Sequence, residues 1–578
     1  MSSLKNNEKG APSSSITNYS IGSNGEYYEN KDNAKKDQLE YHVDEVDLES
    51  ADANSAEKVY KTDMKQGLKS RHIQIIALAG AIGTGLFVGS GSGLATCGPA
   101  GLFVGYLILS LLVWLVMYQL AEMVAFIPTP GHTTLPALCL RYTGNNSISF
   151  AAGMNLYYAQ ALISPAEVTA AAFVIQYWTD INPGAWITIF LVAMVVLEFC
   201  AVKYFGEVEF WIGLIKIFTI TGLIIVGIVI FFGGAPASHG VLGFHYWKHP
   251  GAFTEHLVKG NTGKFLACWT AIIKSAFAFI LSPELITACA SEAENPRVNL
   301  PKATSRFIYR MIFFYVLGSL TIGVIVGYND KSLLAAIESG AQGAAASPFV
   351  IGIKNAGIKV LDHIVNAAIL TSAFSCGNSQ FFSATRMLHS MAIKGQVPKI
   401  FGRTNRFGVP YYSVSITALI SLVSYLNVSN SSSMVFTWLT NISTVSGFIS
   451  WVFIGIVYLR FRKAIDYHNL NDRVTFRPKF GIAGAYFTIF FFSLIALTNG
   501  YAVFFDFNAS DFVAAYITIP IILVLYFGHM LWYRNFTLFA PPEQIDCTTG
   551  LEEVEQQEAE YEAPVAKNWL MKVYFWLC

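Results

Sequence analysis

The run Gly80-Ala81-Ile82-Gly83-Thr84-Gly85 interrupts an otherwise apolar stretch from Ile73 to Ala95. Glycine in a helix interior costs roughly 1 kcal/mol relative to alanine, so this spacing favours an unwound segment. Within a bilayer, freed backbone groups persist only where protein or a water-filled cavity satisfies them. A break here presents N–H groups around Gly83, Thr84 and Gly85 at the positive end of a new half-helix, which suits a carboxylate. Carbonyls left unpaired near Ala79 and Gly80 suit an amine, and Ala81 belongs to the same candidate substrate site. A second interruption, Phe277-Ala-Phe-Ile-Leu-Ser-Pro-Glu284-Leu, frees further carbonyls near Phe279 and Ile280. One centre for each end of a zwitterion points to a free amino acid as the bound molecule. Two broken hydrophobic segments at corresponding places in two halves point to a transporter's binding site.

Charged side chains inside apolar runs are expensive and are functional candidates by default. Glu167, after Ile163-Ser-Pro, suits proton coupling, substrate contact or a structural hydrogen bond. Lys216, within Gly213-Leu-Ile-Lys-Ile-Phe, has three readings: a proton relay, a fixed charge standing in for a bound cation, or a side chain snorkelling to the interface. Lys274 and Phe277 are one turn apart before the second break and share a face. That face suits a carboxylate clamp or gate at Lys274 and an aromatic cap from Phe277 or Phe279, packing being the alternative for both rings. Ser282 adjoins the break, and Glu284 is placed to order the unwound backbone by accepting its N–H groups. Ser372, Ser375 and Asn378 form a polar stripe, with Asn366 further back; Trp438, Asn441 and Ser443 are weaker candidates. Such stripes also glue helices together.

These residues need an all-α membrane scaffold. Of 578 residues, 53% are hydrophobic and only 13% charged, against about a quarter charged in soluble domains. Apolar runs long enough to span a membrane recur at about 73–95, 101–126, 149–177, 185–203, 208–233, 266–290, 307–327, 360–390, 411–427, 435–459, 482–505 and 511–533, twelve in all. The first five spans (71–233) and the next five (266–460) read as two inverted copies, each opening on a broken helix, followed by two more spans (478–533). Lys and Arg concentrate in alternate loops, for example Arg297, Lys302, Arg306, Arg386, Lys399, Arg460 and Arg477. By the positive-inside rule that side, with both tails, is cytoplasmic. No secretory signal is apparent, so the first span acts as the targeting signal.

Residues 1–70 have the composition of a disordered tail, whose lysines (Lys31, Lys35, Lys36, Lys58, Lys61) suit ubiquitination. Residues 534–578 form a second tail. Its amphipathic end, up to Cys578, suits the membrane interface and palmitoylation. The sequons at Asn427 and Asn430 fall in an outer loop and are candidates for glycosylation. Zero formal net charge gives no footprint for nucleic acid. The eight scattered cysteines form no C-x-x-C pair, and no metal cluster, phosphate loop or nucleophile elbow is present. No cofactor, metal or enzyme activity is expected, and an ion gradient is the simplest driving force.

The runs Ser70-Arg-His-Ile-Gln, Gly80-Ala-Ile-Gly-Thr-Gly-Leu-Phe, Phe277-Ala-Phe-Ile-Leu-Ser-Pro-Glu-Leu and Ser291-Glu-Ala-Glu-Asn-Pro-Arg resemble the fungal amino-acid permeases of the amino acid–polyamine–organocation superfamily. Glu167-Val-Thr-Ala-Ala, Glu207-Val-Glu-Phe-Trp, Leu242-Gly-Phe-His-Tyr-Trp and Asp511-Phe-Val-Ala-Ala-Tyr-Ile-Thr resemble the proline permeases among them. The resemblance covers about residues 60–550. It implies a LeuT-like fold of ten spans in two inverted repeats plus two more, with proton-coupled import at the plasma membrane. It also implies that Lys216 matches the fifth-span lysine that takes the place of a sodium ion in sodium-independent relatives. Ser282-Pro283 stands where many members have Gly-Thr.

The function expected is proton-driven import of L-proline by alternating access. The alternatives are a broader permease for neutral amino acids or 4-aminobutyrate, and a receptor that binds amino acid without carrying it. A bulky residue at Gly83 or Gly85 is expected to abolish uptake while surface delivery persists, measured by labelled substrate and surface labelling.

Overall fold

In the computed structural model the described residues are 82–128, 133–200, 202–237, 240–290, 296–338, 347–428 and 432–560, with Tyr19–Ile21, Tyr27–Glu29 and residues 75, 568 and 569. The chain divides into two compact units, Met1–Tyr60 and Lys61–Cys578. In the first, Tyr19–Ile21 and Tyr27–Glu29 pair antiparallel, with Ser20 opposite Tyr28. A disordered reading of residues 1–70 does not anticipate this pair. Its signal is local: aromatic and β-branched residues flank Gly22-Ser-Asn-Gly25, the composition of a hairpin turn. The tail lysines and Cys578 lie outside the described residues.

The second unit is helical, and every expected span has its helix. Span 1 resumes at Gly85–Gly89 and runs on towards Gly98; span 2 continues to Phe126. Spans 3, 4 and 5 are Asn146–Ile175, Pro183–Phe199 and Val202–Phe231. Span 6 is the pair Gly260–Ala276 and Ser282–Ala290. Spans 7 to 10 are Pro296–Ile325, Leu361–Ile393, Tyr411–Val428 and Ser432–Tyr467. Span 11 is Gly481–Phe504, and span 12 is Ala509–Tyr516 with Thr518–Tyr533, bent by 46°.

Among the described residues, seven helices pass a simple test of length and hydropathy, eight if the bent pair counts as one. The shortfall from twelve has physical causes. Spans 1 and 2 are counted as one helix, span 4 is short, span 6 is broken, and span 8 carries the polar stripe.

Local chemistry sets the boundaries. Gly98 adopts φ 75° between spans 1 and 2, where a Cβ would stand 2.7 Å from the Ala252 carbonyl oxygen. Gly144, at φ 65°, ends the short helix Leu135–Thr143, which hydropathy does not reveal. The Asn145 side chain then caps span 3 by accepting from the N–H groups of Ser147 and Ile148. Span 8 lies along span 3, and span 10 packs against spans 3 and 11. Phe218, Ile225, Phe490, Leu497, Val524 and Leu531 stay exposed on spans 5, 11 and 12, an apolar exterior suited to lipid. Asn427 is buried, and its amide donates to Thr169 Oγ1 and to the Ser424 carbonyl, so it is not the expected glycan acceptor. Asn430 lies outside the described residues.

The face with the Lys- and Arg-rich loops, the basic face below, is crossed by residues 537–560. Asn145 Nδ2 donates to the Thr537 carbonyl at 2.7 Å, and Arg141 donates to the carbonyls of Asp546 and Thr549. The helix Leu551–Ala559 pairs with Arg297 through Glu558 at 3.0 Å and with Arg473 through Glu555. The Arg473 guanidinium, with Arg297, holds the Glu555 carboxyl below its ordinary range. Beneath this strap, Arg462 Nη1 donates to Glu122 Oε1 at 2.9 Å and Tyr458 Oη to Glu122 Oε2 at 2.5 Å, joining span 2 to span 10 in full burial. Removing one partner of a buried pair costs about 3–5 kcal/mol, whereas replacing both with apolar residues is often neutral. Arg462→Met is therefore expected to lower the melting temperature of the purified protein sharply. The Glu122→Leu/Arg462→Met double variant should regain most of the loss.

Candidate functional site

At the break in span 1, Ile82 and Gly83 are non-helical, and two neighbouring spans take the freed groups. Ser372 Oγ of span 8 donates to the Ile82 carbonyl at 2.9 Å. The Thr84 N–H lies 3.2 Å from both carboxylate oxygens of Glu167 on span 3. Glu167 thus occupies one of the N–H groups that the sequence reading offers to a ligand. The first N–H groups of the helix starting at Gly85 have no intrahelical partner. Gly80 and Ala81 lie outside the described residues.

The glycines are needed for close approach. A Cβ on Gly83 would sit 2.3 Å from Glu167 Oε1 and 2.7 Å from Cys376 Sγ. A Cβ on Gly85 would sit 2.8 Å from Ala278 Cα and 3.1 Å from Phe277 Cδ1. The two breaks therefore touch. A side chain at Gly83 or Gly85 would collide with spans 3, 6 and 8.

Span 6 unwinds after Ala276 and turns at Leu281, whose φ is 58°. Ser282 then folds back, its Oγ donating to the Phe279 carbonyl at 2.7 Å and its N–H at 3.2 Å, and Pro283 sits in the first turn of the resumed helix. The Phe279 carbonyl is consequently not a free acceptor. Its ring is buried 4.4 Å from that of Tyr315 and 5.7 Å from that of Tyr106, so Phe279 packs instead of capping a cleft. Ile280 is buried against Gly447 of span 10. Phe277 is half-buried, edge-on to Phe436 with ring centres 6.2 Å apart. The two oxygens of Glu284 have no hydrogen-bond partner among the described residues although the residue is 1% exposed.

Above the breaks, Lys274 Nζ donates to Ser92 Oγ and Thr96 Oγ1 of span 1, each at 2.9 Å. Gly89, on the same face as Ser92 and Thr96, is exposed, as is Lys274, while Cys97 packs on Ala267 and Ala271, so the outer halves of spans 1 and 6 are in contact. The lysine ties the two halves together at their exposed edge.

Lys216 is fully buried, which removes the snorkelling alternative. It lies close enough to Glu209 and Glu167 for direct charge interaction. Glu209 was not singled out in the sequence, although a carboxylate within a span two turns from Lys216 is a readable signal. Ser375 and Asn378 of the polar stripe bond to it, at 2.5 and 2.9 Å. Asn366 is buried without a hydrogen bond among the described residues. Ser443 donates to the Ala159 carbonyl, a helix-to-helix contact.

The model of the amino acid permease family matches residues 72–541. This chain belongs to that family. The permease is 51% identical over 519 residues to the proline-specific permease of Emericella nidulans, covering 89% of this chain and 94% of the relative. It is 50% identical over 526 residues to the proline-specific permease of Saccharomyces cerevisiae, covering 90% and 83%. Among solved structures, a single-residue mutant of the manganese transporter of Eremococcus coleocola superposes with a TM-score of 0.54 at 14% identity, over 84% of the permease and 95% of that chain. At that identity the likeness concerns the fold alone. It supports the LeuT-like membrane transporter fold, and the family makes the chain a transporter and not an enzyme.

Overpacking a close contact costs about 1–3 kcal/mol. Gly85→Ala should therefore reduce labelled amino-acid uptake roughly tenfold at normal surface abundance. Gly222→Ala on span 5, where a Cβ meets nothing within 4 Å, should leave uptake unchanged.

Proposed function

We propose that this permease imports L-proline with protons across the plasma membrane, with the basic face and both tails in the cytoplasm. The observation that carries the reading is the contact of two unwound spans at Gly85 and Ala278, in a chain about half identical to proline-specific permeases. The substrate carboxylate is assigned to the N–H groups opening the outer half of span 1, at Gly83 and Gly85. The ammonium is assigned to carbonyls at Gly80, Ala81 and Ile280. Proline is a secondary amine with one N–H fewer than other amino acids, so this acceptor set need satisfy only two donors. Its ring is placed against Phe277, the half-buried aromatic at the break.

Lys274 acts as a latch above the breaks, since its bonds to Ser92 and Thr96 must part for the outer halves to separate. Ser282 and Glu284 belong to the inner side of the break. Lys216 serves as the fixed cation of the core, and Glu167 connects it to the unwound backbone through Thr84. Alternating access is a movement of the helix bundle around the broken spans, within a fold of two repeats, 71–233 and 266–460, with ubiquitin ligase machinery as the partner of the tails.

Labelled L-proline uptake in a permease-deficient cell, at acidic and neutral external pH with each other amino acid as competitor, tests the reading. Strong acid-stimulated uptake untouched by most competitors is expected. Inhibition by many neutral amino acids or 4-aminobutyrate would indicate the broader permease. Binding at the surface without accumulation would indicate a receptor. Lys216→Ala should abolish uptake or make it indifferent to external pH. Accumulation like that of the wild type would remove Lys216 from the coupling.

A further inference from the structure

Glu209 lies on the buried side of span 5, seven residues before Lys216, and is 2% exposed. Seven residues are about two helical turns, so both side chains leave one face of the helix. From span 8, Ser375 Oγ donates to Oε2 at 2.5 Å and Asn378 Nδ2 to Oε1 at 2.9 Å. The titratable groups facing this cluster are Lys216 on the same helix, Glu167 on span 3 and Cys376 on span 8.

Among the described residues this cluster therefore holds two carboxyl groups for one ammonium. With the thiol neutral and both carboxyls ionised, it carries one negative charge at membrane depth, where uncompensated charge is expensive. One bound proton removes that charge, and the hydrogen bonds discriminate between the two carriers. Both oxygens of Glu167 face the Thr84 N–H, which can only donate, and the Cys376 thiol beside them accepts only weakly, so protonation there weakens the contact holding the break. Glu209 faces the Ser375 hydroxyl, which accepts as readily as it donates. A proton on Oε2 would reverse that hydrogen bond without losing it, while Asn378 continues to donate to Oε1.

We propose that Glu209 is the carrier of the coupled proton, a role resting on the proton-coupled reading above. In the outward-facing form the Oε2–H bond is made with a proton from external water. In the inward-facing form it is broken, the proton passing to cytoplasmic water. Lys216 stays an ammonium throughout and Glu167 stays bonded to Thr84.

The test uses the full chain in permease-deficient cells and in vesicles with an imposed pH gradient. Glu209→Gln reproduces the shape and donor pattern of the protonated carboxyl and cannot release a proton. It should lose acid-stimulated uphill accumulation, about tenfold per pH unit of gradient for one coupled proton, while exchange of external for internal labelled proline continues. Wild-type acid stimulation in Glu209→Gln would overturn the inference and leave Glu209 an anchor for span 8. Should exchange fail as well, Ser375→Ala decides. Removing a donor to the carboxylate favours its protonated form, so the midpoint of acid stimulation should move to higher pH. An unmoved midpoint would overturn the inference. Absence of acid stimulation in the wild type would defeat the proton-coupled reading itself, a result distinct from a Glu209→Gln variant that keeps it.

Discussion

The break in span 1 exists because two other helices complete it. An unwound turn at membrane depth leaves a carbonyl and an N–H that neither lipid nor helix can satisfy. Ser372 takes the carbonyl of Ile82, and Glu167 takes the N–H of Thr84. These contacts come from spans 8 and 3, which lie along each other. The pair forms a frame against which the broken helix is held. The buried carboxylate of Glu167 is in turn tolerable because Lys216 stands near it, and Glu209 joins span 5 to the same frame through Ser375 and Asn378. Backbone, carboxylates and ammonium form one interdependent set, so disturbing any member leaves another buried and unsatisfied.

The second break is built differently. Span 6 satisfies much of its own unwinding: Ser282 caps the Phe279 carbonyl, Leu281 takes the left-handed conformation, and Phe279 and Ile280 are packed away. What remains towards the first break is backbone at Ala278 and the ring of Phe277. One break is thus held from outside by polar side chains and the other from within. Relative movement of the two spans would disturb the glycine contact between them, the packing of Cys97 on Ala267 and Ala271, and the Lys274 bridge above.

The breaks, the twelve spans and the polar stripe were legible because each departs from what a lipid-exposed helix tolerates: glycine, proline or charge in an apolar run. The partners of those residues were not. Sequence spacing placed Glu167 inside a span but could not direct it to Thr84, eighty-three residues away. Nor could it separate Phe277, left half-buried, from Phe279, packed against Tyr315. Glu209 was readable from its place two turns from Lys216, though only the bonds from span 8 give it a part.

The strap on the basic face has a bearing on how the chain is made. Arg141 and Asn145 bond to carbonyls 408 and 392 residues further on, at Thr549 and Thr537. During synthesis those two side chains emerge early and wait for some four hundred further residues, and the spans within them, before they acquire these partners. A later-made segment therefore closes the face that the early helices open. A chain that stops short of residue 537 presents the same unoccupied donors as one still on the ribosome, and only a chain extended past Thr549 hides them.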